Sequence, residues 1–85
     1  MKAVLQYTNV IHDTSVIFNT LNANNIEILK ITSGVPRPKI TIRVGDHKTL
    51  LNLMYELNKK CVCNVSVVKT ISEKFFIDFI KAIFE

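Results

Sequence analysis

The residues best suited to chemistry lie in one short polar stretch near the N-terminus. Asn9, His12 and Asp13 are close together in the sequence, and a histidine beside an aspartate has the composition of an acid–base pair. No nucleophile or oxyanion-stabilising motif accompanies them. Asp13 also has a sufficient structural explanation as the N-cap of a helix. The sequence therefore predicts no catalytic residues and a protein that is not an enzyme.

The two cysteines, Cys61 and Cys63, are the other candidates for reactive or metal-binding chemistry. A zinc site needs about four ligands, and His12 and His47 lie in other segments of the chain. The spacing of two places both cysteines on one face of a strand, where they act as small apolar residues. Free thiols fit a reducing compartment. We therefore expect no metal, no cofactor and a cytoplasmic protein.

Composition and charge exclude several classes of partner. A content of 48% hydrophobic residues in 85 is enough for one domain and leaves apolar surface for self-association. The net charge of +4 is spread along the chain, whereas a nucleic-acid footprint is usually a cluster with interleaved aromatic residues. Arg37, Lys39 and Arg43 could form an anion patch beside the hairpin of the second and third strands, but a solvated sheet edge that discourages aggregation is the preferred explanation. The spread charge therefore predicts no nucleic-acid partner. No apolar run reaches the roughly 18 residues of a transmembrane helix, so we expect no membrane partner either.

The periodicity of the apolar residues predicts elements in the order βαββαβ. Residues 39–44 alternate between apolar and polar side chains, which is typical of a strand with one covered face. After Asp46, a predicted N-cap, Leu50, Leu53, Met54 and Leu57 recur at the spacing of an amphipathic helix. The predicted elements are strands over residues 3–7, 26–32, 39–44 and 62–68, a helix over 14–22 capped by Asp13, and a helix following Asp46.

This order predicts an α+β fold, the ferredoxin-like two-layer sandwich. The first and third strands should be the central pair, with Ile40 and Ile42 buried beneath the second helix. Leu50 and Leu57 should be buried as well, and Glu56 and Lys60 are ordered for an i,i+4 ion pair.

An additional C-terminal helix is predicted after the sandwich. Thr70 and Glu73 form a capping box, and the helix from Glu73 onward has only one narrow polar stripe. The apolar surface of this helix is larger than one sheet edge can cover. The helix should therefore contact a second surface. We predict a sandwich domain over residues 1–69, a C-terminal helix over 70–85, and a homodimer that buries part of this helix or of a sheet edge.

The chain resembles the ACT domain family over about residues 3–68. The stretch 17–29, in which a helix ends in Asn-Asn-Ile before a strand, is similar to the family's signature, and residues 39–57 resemble its second half. Residues 57–67 are similar to the end of acetolactate synthase small subunits and to the C-terminal ACT domain of RelA/SpoT stringent-response proteins. The resemblance implies a regulatory module without catalysis, which pairs with a second copy and binds an amino acid at the interface.

The resemblance also implies where an effector binds. Its contacts are expected from the loop after the first strand and from the start of the second strand: Asn9, Val10, Ile11, His12, Asp13, Asn25 and Ile26. A helix N-terminus with free backbone donors suits a carboxylate, and Asp13 is expected to hold the ammonium group. The most concrete reading is a small regulatory subunit of an amino-acid biosynthetic enzyme, with a catalytic-subunit partner and allosteric linkage.

An alternative of another class remains open. The loop of residues 8–13 lacks the glycine that this family commonly has there, and a glycine lets backbone amides approach a carboxylate closely. A ligand-free interaction or oligomerisation domain, including a piece of a RelA/SpoT-type protein, therefore stands beside the effector-sensing subunit.

Overall fold

The computed structural model describes residues 1–33 and 37–71 of the chain. Within these ranges, strands and helices follow the predicted order βαββαβ. The elements are β1 (Lys2–Gln6), α1 (Ile11–Ala23), β2 (Glu27–Thr32), β3 (Lys39–Arg43), α2 (His47–Lys60) and β4 (Ser66–Ile71).

The strands form one antiparallel sheet in the order β2-β3-β1-β4. The prediction that the first and third strands are the central pair is confirmed. Both helices contribute to the core that covers one face of this sheet. The element order and the layers are compatible with a ferredoxin-like α+β fold.

The core lies between the sheet and the two helices, as the apolar periodicity predicts. Ile40 and Ile42 are fully buried in it, and so is Leu57 of α2. The predicted burial of Leu50 is confirmed too. Because alternate residues of a strand point to opposite faces, the core receives only every second residue of β1 and β3. The buried core residues are Ala3, Leu5, Tyr7, Ile17, Leu21, Ile40, Ile42, Val44, Leu50, Leu53, Leu57 and Val65.

Helix α2 follows its sequence pattern closely. Asp46 is the N-cap, and its Oδ1 accepts a hydrogen bond of 2.8 Å from the backbone N–H of Thr49. This bond satisfies one of the unpaired donors of the first turn and lowers the pKa of Asp46. The Lys60 ammonium lies 2.8 Å from the Glu56 carboxylate, which confirms the predicted i,i+4 pair.

Helix α1 begins earlier than predicted. Its first residue is Ile11, and its N-cap is Val10, whose side chain makes no capping bond. The predicted N-cap role of Asp13 is wrong, because Asp13 lies inside the first turn and is buried. Its carboxylate is used by a distant part of the chain instead, as the functional-site geometry shows below.

Strand β4 begins later than predicted. It starts at Ser66, four residues after Val62, and Val62 itself is 80% exposed in the connection from α2. At its other end β4 includes Thr70 and Ile71, so the strand crosses the predicted domain boundary at residue 69. Thr70 and Ile71, the first two residues of the predicted C-terminal helix over 70–85, thus belong to β4; residues 72–85, and residues 34–36 between the second and third predicted strands, lie outside the described residues.

Neither helix among the described residues is long and apolar enough to span a membrane.

Candidate functional site

A buried carboxylate joins the start of α1 to the segment that follows α2. The Asp13 side chain accepts two backbone hydrogen bonds of 2.8 Å, from Val62 N–H to Oδ1 and from Cys63 N–H to Oδ2. Asp13 is only 1% exposed. Both of its oxygens therefore have partners inside the protein, and the side chain is not presented to solvent as an acceptor for an ammonium group.

The two backbone donors also determine the charge state of Asp13. Burial of the carboxyl group raises its pKa, but the hydrogen bonds from Val62 and Cys63 and the nearby His12 outweigh this effect. The net result is a pKa below the ordinary value. Asp13 is thus an ionised acceptor at neutral pH whose charge is stabilised by hydrogen bonds to it.

Asn58 of α2 binds the same segment from the other side. Its Oδ1 accepts from Val65 N–H at 2.8 Å, and its Nδ2 donates to Val65 O at 2.9 Å and to Met54 O at 3.0 Å. Sequence reasoning did not identify Asn58, Val62 or Val65 as a unit. The only hint in the sequence is an asparagine in the last turn of a helix, a position where such side chains bond to nearby backbone groups.

The N-terminus of α1 remains open on its solvent side. The first N–H groups of a helix have no intrahelical partners, and Val10, the N-cap residue of α1, makes no side-chain capping bond to them. Asn9 is exposed just before the helix, and its Oδ1 lies 3.4 Å from the Thr14 hydroxyl. His12 is exposed too, with Nε2 3.4 Å from Lys60 O, so an Nε2–H tautomer donates to this carbonyl.

A cleft of about 520 Å³ runs along α1 from this open N-terminus. We call it the α1 cleft. It combines polar side chains with the 92% exposed Ile11 and the partly buried Phe18. Such a mixture suits a small ligand with one polar and one apolar part. The α1 cleft is lined by Asn9, Ile11, Thr14, Ser15, Phe18 and Asn19.

The predicted effector residues fall into two groups in one chain. Residues 9–13 lie at the N-terminal end of α1, and Asn25 and Ile26 follow its C-terminal end. A helix of 13 residues is about 20 Å long at 1.5 Å per residue. One chain therefore does not bring the two groups together, and a site that uses both needs a second copy.

The second group has a clear local structure. Asn25 has a φ of 54°, the left-handed conformation expected of Asn at a helix end. Ile26 packs partly against the core and borders a smaller cleft of about 220 Å³ between α2 and the segment that follows α1. Asn24 crosses this cleft, with Nδ2 at 2.8 Å from Thr20 O and 3.4 Å from the Glu56 carboxylate.

Cys61 and Cys63 are free, half-buried thiols next to Asp13. Burial raises the pKa of the Cys61 thiol, and the negative charge of Asp13 adds to this effect. A raised pKa favours the unreactive thiol form. No group of three or more His, Cys, Asp or Glu side chains in residues 1–33 and 37–71 could hold a metal ion.

Comparison with known proteins adds no further assignment to this geometry: no known family matches the sequence, and no curated protein does so either.

Proposed function

We propose that this chain is a non-catalytic regulatory module that senses an amino acid, as the small subunit of an amino-acid biosynthetic enzyme. The observation that carries the proposal is the α1 cleft at an uncapped helix N-terminus. Unpaired N–H groups and the helix dipole suit the carboxylate of an amino acid. Ile11 and Phe18 offer contact to an apolar side chain, as in a branched or aromatic amino acid.

The ammonium group needs an acceptor other than Asp13, whose oxygens are engaged with Val62 and Cys63. Asn9 and Asn19 both line the cleft, and an amide oxygen accepts from an ammonium group. Asn9 is the better placed, because it lies at the same end of the cleft as the open N-terminus. The proposed effector therefore binds Asn9 and the first N–H groups of α1.

The cleft lies on the outward side of α1. Ile17 faces the core, and Ser15, two residues earlier, is rotated by about 160° from it around the helix. Helix α1 contacts β2, a strand at the edge of the sheet. Ile31 of β2 is 53% exposed there. Exposed Ile11 and Ile31 give this edge the apolar surface of a self-association site.

A twofold dimer through this edge completes the proposed site. Pairing two β2 strands antiparallel reverses the direction of α1 in the second copy. The N-terminus of one α1 then approaches the C-terminal end of the other, where Asn25 and Ile26 lie. Effector binding at this junction couples the two copies, which is the requirement for allosteric linkage to a catalytic chain.

The catalytic subunit is proposed to bind α2. Leu51 and Tyr55 are 70% and 74% exposed there, beside a shallow groove of about 600 Å³ that Met54, Asn58 and Lys59 also line. Exposed aromatic and aliphatic side chains on one helix face are typical of a protein contact.

The same surface favours the second candidate function, an interaction or oligomerisation module without a small ligand. In that case Leu51 and Tyr55 remain the contact surface, and the α1 cleft has no occupant.

A thermal-shift screen of the twenty amino acids at millimolar concentration separates the two functions. An effector at a hundredfold excess over its Kd adds about 2.7 kcal/mol to the stability, which raises the Tm by on the order of 10 °C in a domain of this size. Asn9→Ala should remove most of this shift. Lys60→Ala is the control, because Lys60 pairs with Glu56 on α2 and its side chain does not line the cleft.

Sedimentation tests the proposed dimer. Ile31→Asp should convert the dimer into a folded monomer, whereas Leu51→Asp, which changes an even more exposed residue on α2, should leave it intact. If no amino acid shifts the wild-type Tm, the sensing function fails and the ligand-free module replaces it.

A further inference from the structure

The sheet has a second face, opposite the helices. Ala3, Leu5 and Tyr7 of β1 belong to the core, so the alternate residues of the strand, Lys2, Val4 and Gln6, point to the other side. Residues directly opposite on neighbouring strands share a face. The strand register therefore assigns the paired residues of this side, which we call the outer sheet face; the bulge residues Leu29 and Val68 have no partner in register.

The register arranges the outer sheet face in three rows of four residues across β2, β3, β1 and β4. The first row is Glu27, Arg43, Lys2 and Ile71; the second is Lys30, Thr41, Val4 and Lys69; the third is Thr32, Lys39, Gln6 and Ser66.

Positive charge is concentrated on this face. Within residues 1–33 and 37–71, it has five of the nine Lys and Arg residues and one of the four acids, so the remaining four bases and three acids nearly balance. The one acid, Glu27, lies 3.0 Å from the Arg43 guanidinium and is already paired. Of the net charge of +5 carried by residues 1–33 and 37–71, +4 is therefore located on one side of the sheet.

The sequence alone does not reveal this cluster of five cations. The five cations are spread from Lys2 to Lys69 along the chain, and spread charges argued against nucleic acid. Pairing of β1 with β3 and β4 places positions 2, 43 and 71 in one row. The cluster is thus a product of strand register rather than of local sequence.

The chemistry of the face indicates the kind of polyanion it fits. Among its twelve described residues none is aromatic, so it offers no platform for stacking bases. Thr32, Thr41 and Ser66 provide hydroxyl groups between the cations, suited to phosphate and sugar oxygens. The apolar members of the rows are Val4, which is 9% exposed, and Ile71, which is 41% exposed; Val68, at the bulge of β4, is 46% exposed. The exposed apolar side chains lie at the β4 edge only, so the face as a whole lacks the broad apolar surface that enters a bilayer.

We propose that the outer sheet face binds the sugar–phosphate backbone of single-stranded nucleic acid, without reading its sequence. Cations that lie in three rows of a twisted sheet match a flexible strand, which can follow them, better than a rigid duplex. Neighbouring strands are about 4.8 Å apart, so Lys30 and Lys69, at opposite ends of one row, are separated by about 14 Å. Several phosphates can therefore bind at once. This inference is independent of the amino-acid site, which lies along α1 on the helical side of the sheet.

The salt dependence of binding provides a quantitative test. Single strands release about 0.7 counterion per phosphate contact, so four to five contacts give a slope of log K against log salt of about −3. The probe is a fluorescein-labelled oligo(dT) of about 20 nucleotides, measured by anisotropy from about 50 to 200 mM salt. A matching duplex and vesicles of anionic phospholipid are the comparison ligands.

The decisive variant is Lys39→Gln with Lys69→Gln, both exposed on the outer sheet face. Its matched control is Lys48→Gln with Lys59→Gln, which changes the net charge equally but on exposed positions of α2. The first pair should weaken oligo(dT) binding by at least about tenfold and bring the slope to about −2, and the control should change the affinity by less than about threefold.

Four results would overturn the proposal. They are no binding of oligo(dT) at 50 mM salt, equal losses from the two lysine pairs, duplex bound as tightly as the single strand, and tighter binding to the vesicles than to oligo(dT). Circular dichroism of both variants verifies that each lysine pair can be changed without unfolding the chain.

Discussion

Replacing Asp13 tests the contact between α1 and the segment that follows α2. Asp13→Asn preserves the shape of the side chain but replaces one acceptor oxygen by an NH₂ group. The amide can accept from either Val62 N–H or Cys63 N–H, and its own donor then faces the other. Hydrogen bonds to an ionised acceptor are among the stronger ones in proteins, and a buried donor left unpaired adds a further cost. We expect the Tm at pH 7 to fall by roughly 10 °C.

The pH dependence of this loss identifies its cause. The folded-state pKa of Asp13 is lowered, so its stabilising contribution is complete above the unfolded pKa of about 3.9 and is lost as the pH falls through the folded pKa. The difference in Tm between wild type and Asp13→Asn should therefore be constant from about pH 7 to pH 5 and shrink below about pH 4. Other carboxylates with lowered pKa values, Asp46 and Glu56, titrate equally in both proteins and cancel in the difference.

Asn58→Ala is the matched control, because it removes a neutral side chain that binds the same segment through Val65. It should cost about 2–3 kcal/mol, and this loss should not depend on pH. Differential scanning calorimetry from pH 7 to about pH 3.5 measures both variants. A Tm difference for Asp13→Asn that persists unchanged at the lowest pH, or grows there, would refute the assignment of Asp13 as an ionised acceptor.

The other stability predictions concern the core, the helix cap and the helix end, each measured by thermal or urea unfolding. Leu57→Ala, at a fully buried position, should cost about 2–5 kcal/mol; a loss under about 1 kcal/mol would contradict the described packing. Asp46→Ala removes the acceptor for Thr49 N–H and should lower the Tm by about 5 °C, whereas Asp46→Asn should recover most of it. Asn25→Val places a β-branched residue at a φ of 54° and should cost about 1–2 kcal/mol; Asn25→Gly should be nearly neutral, and equal losses from both would argue against the left-handed conformation.

Local sequence patterns predicted the structure correctly where the contacts that determine it join residues close in the sequence. The cap of α2 joins Asp46 to Thr49, three residues later, and the pair on its surface joins Glu56 to Lys60. The alternation in β3 likewise identifies its buried residues without any knowledge of its neighbours. These features, and the sheet order that follows from them, could be predicted from the sequence.

The errors have a common physical origin in contacts over long sequence distances. Asp13 has the residue type of a helix cap, but its donors are 49 and 50 positions away. Val62 has high strand propensity, yet its N–H binds Asp13 rather than a neighbouring strand, so β4 starts only at Ser66. Asp13 and its two backbone donors are partners that a local sequence pattern does not identify. The Asp13 carboxylate is therefore involved in both errors: the predicted start of α1 was too late and the predicted start of β4 too early.

The candidate sites also differ in whether their residues are close together or far apart in the sequence. The loop before α1 is continuous in sequence, so its exposed Asn9 could be identified directly, but the α1 cleft is also lined by Phe18 and Asn19, two turns further along the helix. The outer sheet face needs three strand pairings before its charge becomes visible. A face with a net charge of this size repels a second copy of itself, because like charges brought together in an interface are unfavourable. We therefore expect the proposed self-association at an edge of the sheet, and the β2 edge, with exposed Ile31, offers apolar surface beside a strand that has one neighbour in the described sheet.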